Sequence, residues 1–253
     1  MPSPLPNIEM LKVQGRRPSL PEGLRIYAIG DVHGRRDLLD VLLSRIEADT
    51  AERPATQTLH VFLGDYIDRG AASRETIDRL IEHGKRSESV FLKGNHELIA
   101  LRCLREPALF DHWMRLGGLE TLASYGIVGI NLASGRPIAE IQSAFHDALP
   151  RPHFRFFRDL KTSFACGDFF FAHAGVRPRV DLSQQKENDL LWIRDEFLSC
   201  PEDFGKIIVH GHTPTREVEV AVNRVNIDTG AFMTGRLTCL VIEDSSLAVI
   251  DTR

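Results

Sequence analysis

The order of apolar and polar positions predicts a β-α-β-α-β unit over the first third of the chain. Apolar runs predict three strands, each ending close to a glycine: Leu24–Ile29, Leu59–Leu63 and Val90–Leu92. Helical periodicity lies between them, over Leu38–Ala48 and over Thr76–Glu82, with Ser73 as the expected N-cap of the second helix. This alternation predicts parallel strands joined by right-handed crossovers.

The remaining pattern predicts a helical middle and a strand-rich final third. The expected helices of the middle are Leu98–Leu104, Leu109–Leu122 and Ile138–Leu149. Ser163–Cys166 and Asp168–Ala172 predict a hairpin across Gly167, and Glu187–Leu198 predicts a helix. Further strands are expected at Lys206–Val209, Glu217–Val222, Val225–Ile227, Leu237–Ile242 and Leu247–Ile250.

These elements predict an α/β fold in which two mixed sheets pack together with helices outside. Residues 24–253 are expected to form a single domain, and residues 98–160 a helical cap or insert over it. Residues 1–23 contain five prolines and are expected to form a flexible N-terminal tail.

Composition narrows the class of protein. The chain has 253 residues, of which 43% are hydrophobic, and this is enough for one large domain with a full core. The net charge of -4 gives no basic excess, so we expect no nucleic-acid partner. No secretion signal and no membrane-length apolar run is present, and no cysteine pair has C-x-x-C spacing. We therefore expect a cytoplasmic protein with reduced thiols and no membrane partner.

Polar clusters follow five of the predicted strands. They are Gly30-Asp31-Val32-His33-Gly34, Gly64-Asp65-Tyr66-Ile67-Asp68-Arg69-Gly70, Gly94-Asn95-His96-Glu97, His173-Ala174-Gly175 and His210-Gly211-His212-Thr213-Pro214. Sites in open α/β sheets form outside the carboxyl ends of strands, so these loops are expected to converge. Each cluster alone could be a surface turn or a buried, hydrogen-bonded histidine. Five of them in one chain indicate a metal site instead.

The ordered set GDVHG, GDYIDRG, GNHE, HAG and GHTP resembles the phosphoprotein phosphatase family, within the calcineurin-like metallophosphoesterases. The form HGHTP is similar to the bacterial and phage serine/threonine phosphatases more than to the eukaryotic ones. HAG departs from the eukaryotic HGG, so eukaryotic-type regulation is not expected. The resemblance spans Gly30 to Pro214 and implies the calcineurin-like sandwich of two mixed sheets flanked by helices.

The resemblance implies two metal sites that share one carboxylate. Asp31, His33 and Asp65 would hold the first ion. The second would be held by four residues, with Asp65 bridging: Asp65, Asn95, His173 and His212. Carboxylate, imidazole and amide ligands suit Mn²⁺, Fe or Zn²⁺, and we expect two divalent ions, Mn²⁺ first among them. The two ions would share a hydroxide that attacks the phosphate in line.

The same resemblance implies the residues that handle the substrate. His96 would be the general acid that protonates the leaving alkoxide, with Asp68 as its orienting partner. Arg69 and Asn95 would bind the phosphate, together with Arg194, which could instead be an ordinary exposed helix residue. The role of His210 is left open, as either a residue that supports the ligands or a purely structural one.

The expected function is a metal-dependent phosphomonoester hydrolase, foremost a serine/threonine protein phosphatase acting on a phosphorylated protein or a small phosphoester. The alternatives are a bis(5'-nucleosyl)-tetraphosphatase and a non-catalytic phosphopeptide-binding protein. The presence of Asp68 favours the phosphomonoesterase. A basic stretch, Arg151, His153, Arg155, Arg158 and Lys161, is either part of the binding surface for acidic or phosphorylated substrate or a solvated helix face.

Overall fold

Two mixed β-sheets form the centre of the structure, a computed structural model that describes residues 7–8, 17–129 and 137–253. The first sheet has the order β1-β11-β10-β2-β3-β4 in the described part of the chain. Its strands are β1 (Asn7–Ile8), β2 (Leu24–Ile29), β3 (Gln57–Phe62), β4 (Ser89–Phe91), β10 (Thr238–Glu243) and β11 (Ser246–Asp251). Strands β2, β3 and β4 are parallel to one another, and β10 runs antiparallel to β2.

The second sheet has the order β5-β6-β7-β9-β8 within the same ranges. Its strands are β5 (Ser163–Cys166), β6 (Phe169–Ala172), β7 (Ile207–His210), β8 (Glu219–Val220) and β9 (Arg224–Asn226). The hairpin across Gly167 is confirmed, since β5 and β6 pair antiparallel. Strands β6, β7 and β9 are parallel, so the carboxyl ends of β6 and β7 lie at the same edge of this sheet.

Side chains of β2 alternate between two cores, as the two-residue period of a strand requires. Ile26 and Ala28 lie in the cluster between the two sheets, which also contains Phe171 and Val209. Tyr27 and Ile29 point the other way, into a cluster shared with the helices. Both faces of the strand are therefore buried, which explains why its sequence reads as a nearly continuous apolar run.

Helices cover the outer faces of the sheets. They are α1 (Arg36–Glu52), α2 (Ser73–Arg86), α3 (Asn95–Cys103), α4 (Phe110–Trp113), α5 (Leu119–Ser124), α6 (Ile138–Ala148), α7 (Arg151–Asp159), α8 (Glu187–Trp192), α9 (Asp195–Leu198) and α10 (Ala231–Thr234). The insert does not have a core of its own. Trp113, Phe145 and Phe157 pack in the same cluster as Tyr27 and Phe62 of the sheet. The predicted sandwich of two mixed sheets with flanking helices is confirmed.

Several predicted helices differ in detail. The N-cap of α2 is Ala72 rather than Ser73, whose hydroxyl accepts a hydrogen bond from the Asp68 amide instead. The expected helix over residues 109–122 is interrupted at Gly117, which has a left-handed φ of 109°. The expected helix over residues 187–198 is divided by Arg194 into α8 and α9. The basic stretch from Arg151 forms a helix of its own, α7.

Both described segments of the chain before β2 contact the domain. Asn7–Ile8 pairs with β11 at the edge of the first sheet. Leu20 is buried, and its amide donates to the carbonyl of Asp244. The tail expected over residues 1–23 therefore contacts the domain at both described segments, while its other residues lie outside the described ranges. Among the described residues, no helix is both long and apolar enough to cross a membrane.

Candidate metal centre

The five polar clusters meet at one edge of the two sheets. Asp31 and His33 follow β2, Asp65 follows β3, and Asn95 begins α3 directly after β4. His173 and His212 follow β6 and β7 of the second sheet. The side chains that could hold a metal are all buried: Asp31, His33, Asp65, Asn95, His173 and His212. The predicted convergence of the loops is therefore found in the fold.

Asp65 lies at the centre of this group, between two sets of imidazoles. Its Oδ2 atom is 3.5 Å from Nε2 of His33, and its Oδ1 atom is 3.4 Å from Nε2 of His173. Each of these rings is held through its other nitrogen, which bonds the carbonyl of Ile67 and of Leu63 respectively. The Nε2 atoms are therefore turned towards Asp65, in positions from which each could bind an ion on its own side of the carboxylate.

Asn95 brings the second set together. Its Oδ1 atom lies 2.9 Å from Nε2 of His173 and 2.9 Å from Nδ1 of His212. Asp65, His173 and His212 have ligand atoms within 4.8 Å of one another, and so do His33, Asp65 and His96. These distances allow two adjacent cation sites with Asp65 common to both.

The buried polar atoms of the group test whether metal ions fit. Oδ1 of Asp31 and Nε2 of His212 are buried and have no hydrogen-bond partner among the described residues. Oδ2 of Asp31 accepts a hydrogen bond from the His212 amide. A buried carboxylate oxygen without a partner is costly, and a cation removes that cost. The donor set of carboxylate, imidazole and amide oxygen therefore fits hard or borderline divalent ions.

The electrostatics point the same way. Burial, and then the charge of Asp228, raise the pKa of Asp31 well above its usual range. Burial lowers the pKa of His33 to about 3 and that of His212 to about 2, so both rings are neutral and can act as ligands. Burial opposes ionisation of Asp65, but His173 and His96 hold its pKa well below the usual value. A bound cation would take the place of the positive charge that these histidines supply.

Strained backbone marks the same loops. Non-glycine residues with left-handed φ include His33, Asp65, Asp68, Arg69 and His212, with values between 47° and 71°. Such conformations cost about 1–3 kcal/mol each and persist where the surrounding structure fixes them. Here the loops turn sharply so that consecutive side chains face one point, which is what a multidentate site requires.

His96 and Asp68 form a buried pair beside the metal ligands. Nδ1 of His96 donates to Oδ2 of Asp68 over 2.7 Å, which leaves Nε2 pointing towards Asp65 and Arg69. Burial alone would lower the pKa of His96, but Asp65 and Asp68 together raise it above its ordinary value. The two carboxylates therefore favour the protonated form of the ring. The guanidinium of Arg69, with Nη2 3.4 Å from Nε2, makes His96 a poor choice for a metal ligand.

Two residues that the sequence analysis missed hold Asp68. Trp113 donates its indole N–H to Oδ2, and Thr121 donates its hydroxyl to Oδ1 over 2.6 Å. Both lie in the helical insert, and both are fully buried. In sequence, both residues lie in segments with the spacing of an ordinary amphipathic helix. The only signal that could have revealed them is the polar atom that each carries on an apolar face.

Glu97 is a third missed residue, although it belongs to the GNHE motif. Its carboxylate accepts hydrogen bonds from the amides of Gly94, Asp65 and Tyr66 at 2.8–2.9 Å. Burial, and then Asp65, raise its pKa to about 7. Glu97 thus fixes the strained turn that carries the central aspartate. Asp228, after β9, is a fourth: it lies close enough to raise the pKa of Asp31.

The two candidate phosphate-binding arginines lie beside different candidate site residues, Arg69 beside His96 and Arg194 beside His212. Arg69 is half-buried, and its guanidinium carbon lies 4.4 Å from the ring centroid of Phe232. Arg194 is exposed, and its guanidinium donates two long hydrogen bonds, to the Thr213 hydroxyl and to the His212 carbonyl, both over 3.4 Å. Arg194 therefore lies beside a predicted metal ligand, and its long bonds leave it free to turn towards a substrate.

His210 is separated from this group. It is buried against Phe197, and Nδ1 bonds the carbonyl of Gly211. Burial lowers its pKa to about 3. His60 and His83 form a buried pair with each other, and His153 bonds Asp78. None of these rings reaches Asp65 among the described contacts.

The sequence model of the calcineurin-like phosphoesterase family matches residues 24–234, which include every loop of this site. The chain belongs to the calcineurin-like phosphoesterases. The resemblance drawn from the GDVHG, GDYIDRG, GNHE, HAG and GHTP motifs is confirmed at the level of the family.

Individual members of this phosphoesterase family show how far the similarity extends. The chain is 28% identical over 231 residues to the asymmetrical bis(5'-nucleosyl)-tetraphosphatase PrpE of Anoxybacillus flavithermus, covering 84% of this chain and 88% of that protein. It is 26% identical over 226 residues to serine/threonine-protein phosphatase 2 of Salmonella typhimurium, covering 86% and 93%. A solved putative diadenosine tetraphosphatase is 17% identical with a TM-score of 0.57, over 91% of this chain and 98% of that one, which shows a shared fold.

As a calcineurin-like phosphoesterase, the protein is a hydrolase of phosphate esters. Its histidine and aspartate cluster could bind metal ions of the kind that this family uses. The relatives include both a nucleotide hydrolase and a protein phosphatase, so the family alone does not select the substrate.

Proposed function

We propose that the protein hydrolyses phosphomonoesters of serine and threonine residues, using two divalent metal ions. The observation that carries this proposal is the buried His96–Asp68 pair beside the candidate metal ligands. A phosphomonoester of an alcohol has a poor leaving group, which must be protonated as the P–O bond breaks. The nucleotide that leaves a dinucleoside tetraphosphate is a much better leaving group and needs this proton far less.

The residues that would hold the ions are the six buried side chains of the strand-end loops around Asp65. Asp31, His33 and Asp65 form the first site, and Asp65, Asn95, His173 and His212 form the second. When bound, the ions would neutralise the phosphate and lower the pKa of the attacking water, and Mn²⁺ is the ion we expect first. The unpartnered oxygen of Asp31 and the central place of Asp65 support this assignment.

The protein's own side chains would then do three things. Arg69 and Arg194 bind the phosphate oxygens and orient the ester. His96 donates the proton on Nε2 to the leaving oxygen, while its Nδ1–H remains bonded to Asp68. The Asp68 carboxylate accepts the Nδ1–H of His96 and stabilises positive charge on the ring, and the bonds from Trp113 and Thr121 keep it in place.

A second candidate is the asymmetrical hydrolysis of dinucleoside tetraphosphates. It is supported by the similarity to PrpE, which covers 84% of this chain. Two aromatic rings also flank the ligands: Phe232 packs on His33, and Trp192 lies against the ring of His212. A nucleobase could stack on either ring.

The experiment that separates the candidates compares kcat/KM for a phosphothreonine peptide and for diadenosine tetraphosphate. The enzyme is stripped of metal and reloaded with Mn²⁺ before both assays. We expect faster turnover of the peptide. Faster turnover of the dinucleotide would overturn the protein phosphatase proposal and leave the metal site assignment intact.

A further inference from the structure

A groove of about 550 Å³ lies outside the metal centre, between α2, the edge strand β4 and α7. We call it the α2–α7 groove. Apolar side chains form most of its lining: Ile81, Val90, Phe91, Pro152, Phe156 and Leu160. β4 is the last strand of its sheet in the described chain, and among the described residues only the backbone of Lys161 pairs with its outer edge, at Phe91 and Lys93. The groove can therefore accept a large apolar side chain from outside.

A glycine keeps the floor of the groove open. Gly84 lies in the last turns of α2 and is exposed, with a φ that any residue adopts. Glycine inside a helix costs about 0.5–1 kcal/mol relative to alanine, so the backbone does not explain its presence. A Cβ atom at this position would lie 3.0 Å from Cε2 of Phe91. The missing side chain leaves the ring of Phe91 accessible.

The rim of the α2–α7 groove is basic. Lys85, Arg155 and Lys161 line it, and all three are exposed. None of them forms an ion pair with any residue that the structure describes, in contrast to the exposed Arg86 and Arg158 nearby. Asp159 also lines the groove, but its carboxylate already bonds Arg158 over 2.7 Å. The rim therefore offers three unpaired cations on a chain whose net charge is -4.

The chemistry of the groove selects an acidic peptide. Its apolar floor calls for a side chain such as Phe or Leu, and its rim calls for carboxylates on either side of that residue. A uniform polyanion fits less well, because Glu82 and Glu88 lie on either side of Lys85 in the sequence and are exposed. A short segment with an apolar centre and acidic residues on either side fits the apolar floor and the three cations together.

The α2–α7 groove is close to the metal centre along the chain. Phe91, in the groove, is four residues from Asn95, a distance of about 14 Å at most. A segment bound in the groove could thus belong to the same protein that presents a phosphorylated residue to Asp65 and His96. We propose that the groove docks an acidic segment of a phosphoprotein substrate, with one bulky apolar residue on Phe91 and carboxylates on Lys85, Arg155 and Lys161. This proposal rests on the proposed protein phosphatase function.

The first test is direct binding, which does not depend on catalysis. The probe is a fluorescent, non-phosphorylated peptide with the sequence Asp-Glu-Asp-Leu-Phe-Glu-Asp, and its anisotropy is titrated with the full chain. We expect the double variant Lys85→Glu/Arg155→Glu to raise Kd about tenfold or more, and Gly84→Ala to raise it a few-fold. The matched control Arg36→Glu/Arg179→Glu, two exposed arginines outside the groove, should leave Kd within about twofold.

An equal Kd for the groove variant and the control variant would overturn the proposal. The proposal would also be overturned if a DNA duplex bound as tightly as the acidic peptide and the groove variant weakened its binding. The surface would then recognise negative charge alone. Binding of the acidic peptide but not of a peptide in which Leu and Phe are replaced by Ser supports the apolar part of the groove.

The second test is kinetic and separates this proposal from the proposed function. We compare kcat/KM for a phosphothreonine peptide with and without the acidic segment. A lower KM for the extended peptide, lost in Lys85→Glu/Arg155→Glu, supports docking. Equal values for both peptides overturn docking while the phosphatase function stands. Hydrolysis of diadenosine tetraphosphate but of neither peptide overturns the proposed function and docking together.

Discussion

The strand-end loops and the helical insert meet at Asp68, a loop residue that two side chains of the insert hold. The two regions contribute different kinds of residue to the site. The loops supply the candidate ligands from strained positions, such as His33, Asp65 and His212 with left-handed φ. The insert supplies Trp113 and Thr121 from within its helical segments, and neither residue faces the metal ligands directly. The loop residues therefore determine which atoms take part in the reaction. The insert determines how firmly Asp68 is held and, through Asp68, the proton donor His96.

The largest effect is expected from the loop residue that both sites share. Asp65→Asn removes the charge that faces His33 and His173, so both ions should be lost or weakened together. We expect kcat/KM to fall more than about 10³-fold, beyond the usual loss for one stabilising group. Metal content by mass spectrometry checks this, and a variant with two ions and full activity would contradict the bridging role.

His96→Ala should have the next largest effect, on catalysis alone. We expect kcat to fall by about 10²–10⁴-fold for an alkyl phosphomonoester while both ions remain bound. Kinetics and metal analysis of the same preparation check this. Loss of metal in this variant would instead indicate that His96 is a ligand.

The insert is tested by removing its bonds to Asp68. Thr121→Val and Trp113→Phe each delete one hydrogen bond to the carboxylate and should lower kcat by about 10–100-fold with little change in metal content. Thr50→Val is the matched control, since Thr50 bonds Tyr27 and the Ile46 carbonyl, in another part of the fold. If the control loses as much activity as Thr121→Val, general destabilisation explains the effect.

The smallest effect is expected at Phe232, which lies against Arg69 of the phosphate-binding loop. Phe232→Leu removes the aromatic ring that faces the Arg69 guanidinium at 4.4 Å. Such a contact is worth about 0.5–1 kcal/mol at a partly exposed site, so KM should rise about 2–5-fold. The kcat value should change little, and a large fall in kcat would indicate that Phe232 positions His96 as well.

The sequence allowed the loops to be predicted far better than the insert. Apolar runs that stop at Gly30, Gly64 and Gly94 locate the strand ends. Polar residues directly after these strand ends have few roles other than forming a site. Trp113 and Thr121 lie in segments whose spacing is that of any core-facing helix, so nothing local shows that their polar atoms meet Asp68. Glu97 is visible in its motif, but its bonds to the amides of Asp65 and Tyr66 exist only once β3 and β4 are paired.

Breaks within helices were also hidden from the apolar pattern. The predicted helix over residues 109–122 keeps its periodicity through Gly117, yet the chain turns there because the Gly117 carbonyl accepts the Arg69 amide. A Cβ at Gly117 would lie 2.7 Å from the Arg69 nitrogen. The close approach between the insert and the phosphate-binding loop decides the local structure, and it is a contact between segments far apart in sequence.

The most direct test of the account is the dependence of His96 on the leaving group. We would measure kcat/KM of the wild type and of His96→Ala, both loaded with Mn²⁺, for phosphomonoesters ranging from nitrophenyl to alkyl. If His96 protonates the leaving oxygen, the loss in the variant is small for the nitrophenyl ester and grows steadily towards the alkyl esters. An equal loss for every ester would contradict the proton-donor role and, with it, the argument for a phosphoserine or phosphothreonine substrate.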